Sequence, residues 1–231
     1  MSTQPPDLAT LIAQLETVPI LQGLGTASLA QLAQSARWRT YDPGAMIFLE
    51  GDAAPALYYV AAGWVKIVKM SPDGREQILY FWGPGELFGG VSVFVNRPAP
   101  ATAIALEATA LWIMPGDAIR QMVTVNPAMA LAVIEFMANR ISELIELVAD
   151  LSLHTVTARL ARLLLEQAEG DVIHRRRWAT QSELAARLGT VPDVLNRALR
   201  GLVEEKLIEL ARQQIRILDR PGLTAKTTAI H

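Results

Sequence analysis

The spacing of apolar residues changes near residue 126, and this change requires a fold that combines a sheet with a long helix. Before that point, short β-rich runs alternate with turn signals such as Asp42-Pro43-Gly44 and Pro72-Asp73-Gly74. The turns recur at intervals of about a dozen residues or less, which predicts an antiparallel sandwich or barrel joined by hairpins. After two short helices at 8–15 and 29–36, the predicted strands are 46–48, 57–60, 64–68, 77–81, 102–106 and 110–114.

From about Asn126 to Leu151 the apolar residues follow alternating steps of three and four, which is the pattern of one long helix with a heptad seam. Pro127 suits the first turn of such a helix. A single amphipathic helix packed on its own sheet is the alternative, because the other faces also carry apolar residues. The two interpretations are compatible. The seam predicts a homodimer held together by Ile134, Met137, Ile141, Leu144, Val148 and Leu151.

Cysteine is absent, and histidine occurs only at positions 154, 174 and 231. Disulfides, thiolate zinc sites and cysteine nucleophiles are therefore excluded, and a Ser-His-Asp triad would have very few parts. We expect no metal, no cofactor and no enzymatic activity. The apolar stretches are interrupted before the ~18 residues that span a bilayer, and the N-terminal residues lack the basic start of a signal peptide, so we expect a cytoplasmic protein without a membrane partner.

Charge is distributed unevenly along the chain. Residues 1–154 contain 8 Lys and Arg against 14 Asp and Glu, a charge of −6, whereas residues 155–231 contain 13 against 9, a charge of +4. Such a change of sign is typical of a nucleic-acid-binding domain joined to a neutral or acidic one, although a basic solvated surface gives the same count.

A helix-turn-helix is indicated after residue 179. Thr180-Gln181-Ser182-Glu183 is a capping box, in which the Thr180 hydroxyl accepts from the Glu183 amide and the glutamate reaches back, so a helix begins there. Gly189 should end this helix in the left-handed conformation, and a second helix should follow with Pro192 in its first turn. The residues predicted to face inward are Leu184, Ala185 and Leu188 of the first helix and Leu195, Leu199, Leu202 and Val203 of the second.

The outer face of the second helix presents polar groups suited to base edges in a major groove. Arg197 can donate two hydrogen bonds to guanine, and Asn196 can contact adenine or a phosphate. A winged domain that contacts protein in place of DNA is the competing interpretation. We expect the residues after Pro221 to form a disordered polar tail. The predicted DNA contacts are Asp193, Asn196, Arg197 and Arg200 on the second helix, Gln181 and Ser182 on the first, and Arg212 and Gln213 at the tip of a β-hairpin wing.

Several motifs occur in one order along residues 15–220, among them Ile47-Phe48-Leu49-Glu50-Gly51-Asp52, Gly85-Glu86-Leu87-Phe88-Gly89 and Arg159-Leu160-Ala161. Together they resemble the cyclic-AMP receptor protein and FNR family of bacterial transcription regulators. The resemblance implies an α+β chain with an N-terminal antiparallel β-roll similar to a cyclic-nucleotide-binding domain, a long dimerisation helix and a C-terminal winged helix-turn-helix. It also implies four partners: double-stranded DNA with a palindromic operator, a second copy of the chain, RNA polymerase and a small-molecule effector.

The phosphate-binding residues of the cyclic-nucleotide-binding members are not matched. A glutamate there holds the ribose and an Arg-Ser pair holds the cyclic phosphate, whereas the aligned residues are Gly90 and Ala101-Thr102. A buried phosphate without its arginine lacks the charge-assisted bonds that offset desolvation, so we expect a pocket that does not bind cyclic AMP. Such a pocket either takes an uncharged or weakly polar metabolite or is closed by its own side chains. Its predicted lining is Gly89, Gly90, Val91, Ala101, Thr102, Ile104, Leu144 and Ile145.

Three domains are predicted: an effector domain at 1–125, a dimerisation helix at 126–154 and a DNA-binding domain at 155–231. Thr155, between the long helix and a predicted helix at 156–168, marks the expected hinge. We expect the effector state to change the register of the long helices and the spacing of two recognition helices, which should contact half-sites about one DNA turn apart. Many relatives have Ser-Arg-Glu-Thr where residues 191–194 are Val-Pro-Asp-Val, which predicts a different operator sequence.

Overall fold

The computed structural model describes residues 4–53, 56–95, 97–174, 176, 178–211 and 214–229. The chain forms two compact units, one made of Met1–Lys69 and Leu79–Ser142 and the other of Met70–Ile78 and Glu143–His231. The long helix is therefore shared, because its first part belongs to one unit and its second part to the other.

Two four-stranded antiparallel sheets form the centre of the first unit, with strand orders β1-β8-β3-β6 and β2-β7-β4-β5. The strands are β1 Arg37–Tyr41, β2 Met46–Phe48, β3 Ala56–Ala62, β4 Val65–Met70, β5 Glu76–Trp82, β6 Leu87–Phe88, β7 Thr102–Ala105 and β8 Thr109–Pro115. β8 is central in its sheet, where it pairs with both β1 and β3. These pairings confirm the predicted antiparallel arrangement.

Helices cover one side of the first sheet, and their apolar residues join those of β3 and β8 in one buried cluster. Leu11, Leu32 and Met129 have no exposed surface in this cluster. The helices are α1 Leu8–Glu16, α2 Thr26–Ser35, α3 Gly90–Val95, α4 Gly116–Val125 and α5 Pro127–Leu153, with a 3-10 turn at Pro19–Leu21. Among the described residues no single helix is long and apolar enough to cross a membrane, and only α4 and α5, bent by 116°, pass that test as a pair.

β1 was not predicted because its sequence, Arg-Trp-Arg-Thr-Tyr, mixes cations with aromatic residues. The strand lies at a sheet edge, where alternate side chains remain in solvent and tolerate charge. Trp38 supplies the stabilising contact, since its ring lies 5.0 Å from that of Trp112, edge to face.

The second unit is built from α6 Val156–Gln167, β9 Val172–His174, α7 Gln181–Arg187, α8 Pro192–Glu204, β10 Ile208–Leu210, β11 Gln214–Ile217 and α9 Arg220–Lys226. The three strands form an antiparallel sheet in the order β10-β11-β9. The predicted hairpin wing is thereby confirmed, and β9 adds a third strand to it. The apolar faces of α6, α7 and α8 pack with this sheet around a second buried core.

The predicted disordered tail after Pro221 is wrong, because residues 220–226 form α9. Asp219 caps this helix by accepting from the amide of Gly222 at 3.0 Å, and Pro221 occupies its first turn. Leu223 is completely buried in the second core. The buried leucine, the cap and the ion pairs of Arg220 with Asp171 and of Lys226 with Glu205 hold this segment on the second unit.

Candidate DNA interface and effector cavity

The helix-turn-helix begins as the capping residues predict. The Thr180 hydroxyl accepts from the Glu183 amide at 3.2 Å. The Thr180 amide donates to the carbonyl of Trp178 at 2.8 Å. Gly189 follows α7 with a φ of +62°, as expected for the left-handed end of a helix.

The inner face of α8 is also confirmed, since Leu195 and Leu202 are completely buried and Leu199 nearly so. The prediction that Val203 faces inward is wrong, because 38% of its surface is exposed. At 3.6 residues per turn, Val203 lies about 80° around the helix from Leu195, at the edge of the buried stripe. The exposed face of α8 therefore includes Val203, which the apolar pattern placed on the buried face.

Arg197, Arg200 and Asp193 are exposed on the outer face of α8, and Asn196 beside them is half-buried. The Nε of Arg200 donates to the carbonyl of Asn196 at 3.3 Å, which holds this side chain along its own helix. The side chain of Arg197 makes no hydrogen bond or ion pair within the described part of the chain. Its guanidinium is thus available to an external acceptor.

Arg197 also lines an open groove of about 460 Å³ between the start of α6 and α8. Glu205 also lines this groove, and its carboxylate is paired with Lys226 at 2.6 Å, so Arg197 is the charged lining residue without an ion pair in the described part of the chain. The remaining lining is Val156, Thr157, Val194, Ala198 and Gly201. Sequence reasoning missed the residues of α6, because nothing in their local pattern places them beside a helix that begins about 35 residues later.

Gln181 and Ser182 are exposed in the first turn of α7, on the same unit. The wing strands β10 and β11 are joined by a backbone bond from the Ala211 amide to the Gln214 carbonyl at 2.9 Å. Arg212 and Gln213, predicted at the wing tip, lie outside the described residues.

A junction between α5 and α6 occurs at Thr155, where the hinge was predicted. The Thr155 hydroxyl caps α6 by accepting from the Ala158 amide at 3.2 Å. Its amide donates to the carbonyl of Ala229 at 3.1 Å, and Arg162 of α6 donates to the carbonyl of Thr227 at 3.0 Å. The end of the described chain is therefore bonded to the residues at this junction.

Most seam residues of α5 are exposed in the single chain. The exposed fractions are 63% for Ile134, 59% for Ile141, 37% for Leu144 and 62% for Val148. Met137 and Leu151 are half-buried. An isolated helix face with this many large apolar residues is unfavourable in water, so the face calls for a partner.

The predicted effector pocket is only partly assembled. Gly89 has a φ of +91°, and an added Cβ would lie 2.4 Å from the carbonyl oxygen of Ala56, so only glycine fits there. Gly89 lines a cavity of about 10 Å³, with Phe48, Asp52, Ala56, Tyr58, Ser92 and Ala99. That volume admits about one water molecule.

The other predicted pocket residues lie elsewhere. Gly90 begins α3, where an added Cβ would approach the methyl group of Met137 at 3.2 Å. Val91 does not line this cavity, and 49% of its surface is exposed in the single chain. Ala101, Thr102 and Ile104 are buried in or next to β7 but do not line the cavity, and the Thr102 hydroxyl accepts from the Glu50 amide at 3.0 Å. Leu144 and Ile145 are exposed residues of the second unit.

Beside the cavity, the burial of Tyr58 raises the pKa of its hydroxyl to about 12. Its ring stacks on Phe88 with the centroids 4.9 Å apart. The surroundings of Tyr58 thus favour the neutral form of its hydroxyl over the charged form.

Two protein-family models match the chain: a cyclic nucleotide-binding domain at residues 38–126 and a Crp-like helix-turn-helix domain at residues 158–226. The Cyclic AMP receptor protein of Thermus thermophilus is 31% identical over 200 residues, which cover 83% of this chain and 88% of that protein. The chain belongs to the Crp/Fnr family of transcriptional regulators.

Further similarities agree with Crp/Fnr membership. The CRP-like cAMP-activated global transcriptional regulator of Mycobacterium tuberculosis is 28% identical over 213 residues, which cover 90% of this chain and 95% of that protein. The structure of FixK2 from Bradyrhizobium japonicum has the same fold, with a TM-score of 0.73 and 23% identity over 84% of this chain and 98% of the other. This Crp/Fnr protein is a DNA-binding transcription regulator with an effector-binding domain, as the sequence predicted.

Proposed function

We propose that this regulator acts as a homodimer that places two copies of α8 in successive major grooves of a palindromic operator. The observation that supports this most strongly is the outer face of α8, where Arg197 is exposed and unpaired in the described structure beside an open groove. A planar guanidinium in that position suits two hydrogen bonds to guanine. The exposed apolar face of α5 supports the dimer, because pairing two such faces removes them from water.

The groove beside Arg197 suits the DNA backbone. The start of α6 lines it, and the first backbone amides of a helix can donate to a phosphate, which leaves Arg197 on the α8 side for the bases. Gln181 and Ser182 in the first turn of α7 add neutral donors, and Arg212 and Gln213 of the wing are proposed as further phosphate contacts. In this arrangement phosphate contacts fix the register of the helix and Arg197 reads sequence.

A selection of bound sequences from a random DNA pool tests this function. We expect an enriched palindrome whose half-sites lie about one DNA turn apart. Binding should weaken linearly on a logarithmic salt scale, and Arg212→Ala should reduce that slope by about one while it weakens binding to every sequence. Absence of enrichment, or binding that does not respond to salt, would favour a winged domain that contacts protein.

We further propose that the effector domain does not bind cyclic AMP. Gly90 and Ala101 replace the ribose and phosphate ligands of cyclic-nucleotide-binding members, and the described cavity near Gly89 has a volume of about 10 Å³. The names of the relatives from Thermus thermophilus and Mycobacterium tuberculosis favour the alternative, a cyclic-AMP-responsive regulator. Calorimetric titration with cyclic AMP decides between them, since tight binding contradicts the proposal.

The family also suggests contact with RNA polymerase, action without catalysis and residence in the cytoplasm, and we include these in the proposed function. The proposed function also includes the predicted domain boundaries after residues 125 and 154. Co-precipitation of RNA polymerase with the operator-bound protein tests the first of these points.

A further inference from the structure

The guanidinium of Arg140 lies among three aromatic rings of the first unit. Its central carbon is 4.5 Å from the ring centre of Trp82, 5.1 Å from that of Phe136 and 5.4 Å from that of Tyr80. Tyr80 also donates from its hydroxyl to the carbonyl of Arg140 at 3.1 Å. A cation over aromatic rings and a hydrogen bond are thus among the contacts that join the helix α5 to the strand β5.

The same rings continue through the interior of the sheets. Trp82 lies 6.4 Å from Phe136 and 6.5 Å from Phe88, centre to centre. Phe88 stacks on Tyr58, and Tyr58 lies 5.3 Å from Phe48. We call this set, Phe48, Tyr58, Phe88, Trp82 and Phe136 together with Tyr80 and Arg140, the aromatic column.

Five members of the aromatic column lie within residues 38–126, the region that matches a cyclic nucleotide-binding domain, and Phe136 and Arg140 follow on α5. Trp82 and Phe88 are buried, and the cavity next to the column has a volume of about 10 Å³. Pockets for small organic ligands usually measure about 300–1,000 Å³. A ligand of nucleotide size that entered this cavity would therefore have to displace rings that already make favourable contacts with one another.

Arg140 differs from the other members of the aromatic column because it carries a positive charge. Arg140 is half-buried, so its guanidinium loses part of its hydration, and the faces of the three rings stabilise the cation electrostatically. The cation thus favours the arrangement in which α5 is held against β5. An effector bound between a sheet and a helix would stabilise the same pair of elements.

We propose that the aromatic column replaces the effector, so that the chain's own Arg140 holds the sensor domain in the DNA-binding state without a small molecule. This inference rests on the proposed function. It adds that the part of the effector is played by side chains of the protein itself. It predicts a regulator that binds its operator constitutively and whose affinity depends on the contacts of Arg140.

The test uses the full chain and the operator obtained by selection. Wild-type affinity should change less than about twofold when millimolar cyclic AMP is added. Arg140→Met should weaken operator binding about tenfold, the change in an equilibrium constant that about 1.4 kcal/mol produces. Tyr80→Phe, which keeps the ring and loses one hydrogen bond, should weaken it about fivefold. Arg39→Met is the matched control, because Arg39 is exposed and lies 5.5 Å from the ring of Tyr41, outside the column, and its affinity should stay within about twofold of wild type.

A wild-type protein that binds the operator only after a small molecule is added overturns the inference, and so does Arg140→Met with unchanged affinity. If Arg140→Met fails to fold, judged by circular dichroism, the milder Tyr80→Phe is used in its place. Weakened operator binding by that variant supports the inference, and unchanged binding overturns it. Trp82→Ala supplies a test without DNA: added indole should raise the melting temperature of this variant and leave that of the wild type unchanged. An equal response of both proteins contradicts a filled interior, whereas failure of the DNA selection alone contradicts the proposed function.

Discussion

Replacement of Ile141 by alanine should weaken the proposed dimer about a hundredfold. Ile141→Ala removes three carbon groups, and each contributes about 0.8 kcal/mol when fully buried. Since 59% of the residue is exposed in the single chain, pairing of the helices can bury at most that share, which gives about 1.4 kcal/mol per chain. A twofold-symmetric interface contains the residue twice, so the loss per dimer is about 2.8 kcal/mol, or about two powers of ten in Kd.

Sedimentation velocity over a dilution series measures this change directly. Glu146→Ala is the matched control, because Glu146 is an exposed residue of the same helix that lies outside the predicted seam. The control should leave the Kd within about twofold of wild type. A folded Ile141→Ala protein with a Kd within about threefold of wild type, or a wild-type protein that is monomeric at all concentrations, refutes the reasoning from the exposed face.

Three further predictions concern single side chains. Arg197→Ala should reduce discrimination at one operator base pair by about 1–3 kcal/mol, measured by competition with operators changed one position at a time, while affinity for random DNA changes much less. Burial raises the pKa of Tyr58 to about 12, whereas an unfolded tyrosine loses its proton near pH 10, so the free energy of unfolding should fall between about pH 10 and 12. Tyr58→Phe should lessen that fall in urea titrations, and an identical pH profile would contradict the assignment. Leu223→Ala should lower the free energy of unfolding by about 2–5 kcal/mol in a denaturant titration, because it leaves a cavity in the second core. Thr228→Ala, at an exposed position, is the control and should leave that free energy nearly unchanged. Equal stability of the two variants would mean that α9 is a dispensable tail.

The helix-turn-helix could be predicted because its signals are local. A hydroxyl at Thr180, a carboxylate three residues later and a glycine at 189 specify where α7 begins and ends without reference to the rest of the chain. The period of the apolar residues specified α8 for the same reason. The groove beside Arg197 could not be predicted, because Val156 and Thr157 reach it only through the packing of α6 on α8.

The sensor interior was harder to predict than the DNA-binding unit. Tyr80 and Trp82 stand two residues apart on β5, as expected for one face of a strand, but their partner Arg140 is 60 residues further along. Nothing in the spacing of a single sequence indicates that a charged helix residue will lie over those rings. The short α9 was missed for the opposite reason, because only Leu223 distinguishes its residues from a polar tail.

Leu151 belongs to two parts of the molecule at once. It is a seam residue of α5, and a Cβ added to Gly189 would lie 2.3 Å from its Cδ2 atom. A substitution at Leu151 therefore disturbs the turn of the helix-turn-helix as well as the seam, and a loss of operator affinity in such a variant cannot be assigned to dimer dissociation. Val148, one turn earlier and exposed to solvent, is the position at which mutagenesis separates assembly from DNA recognition.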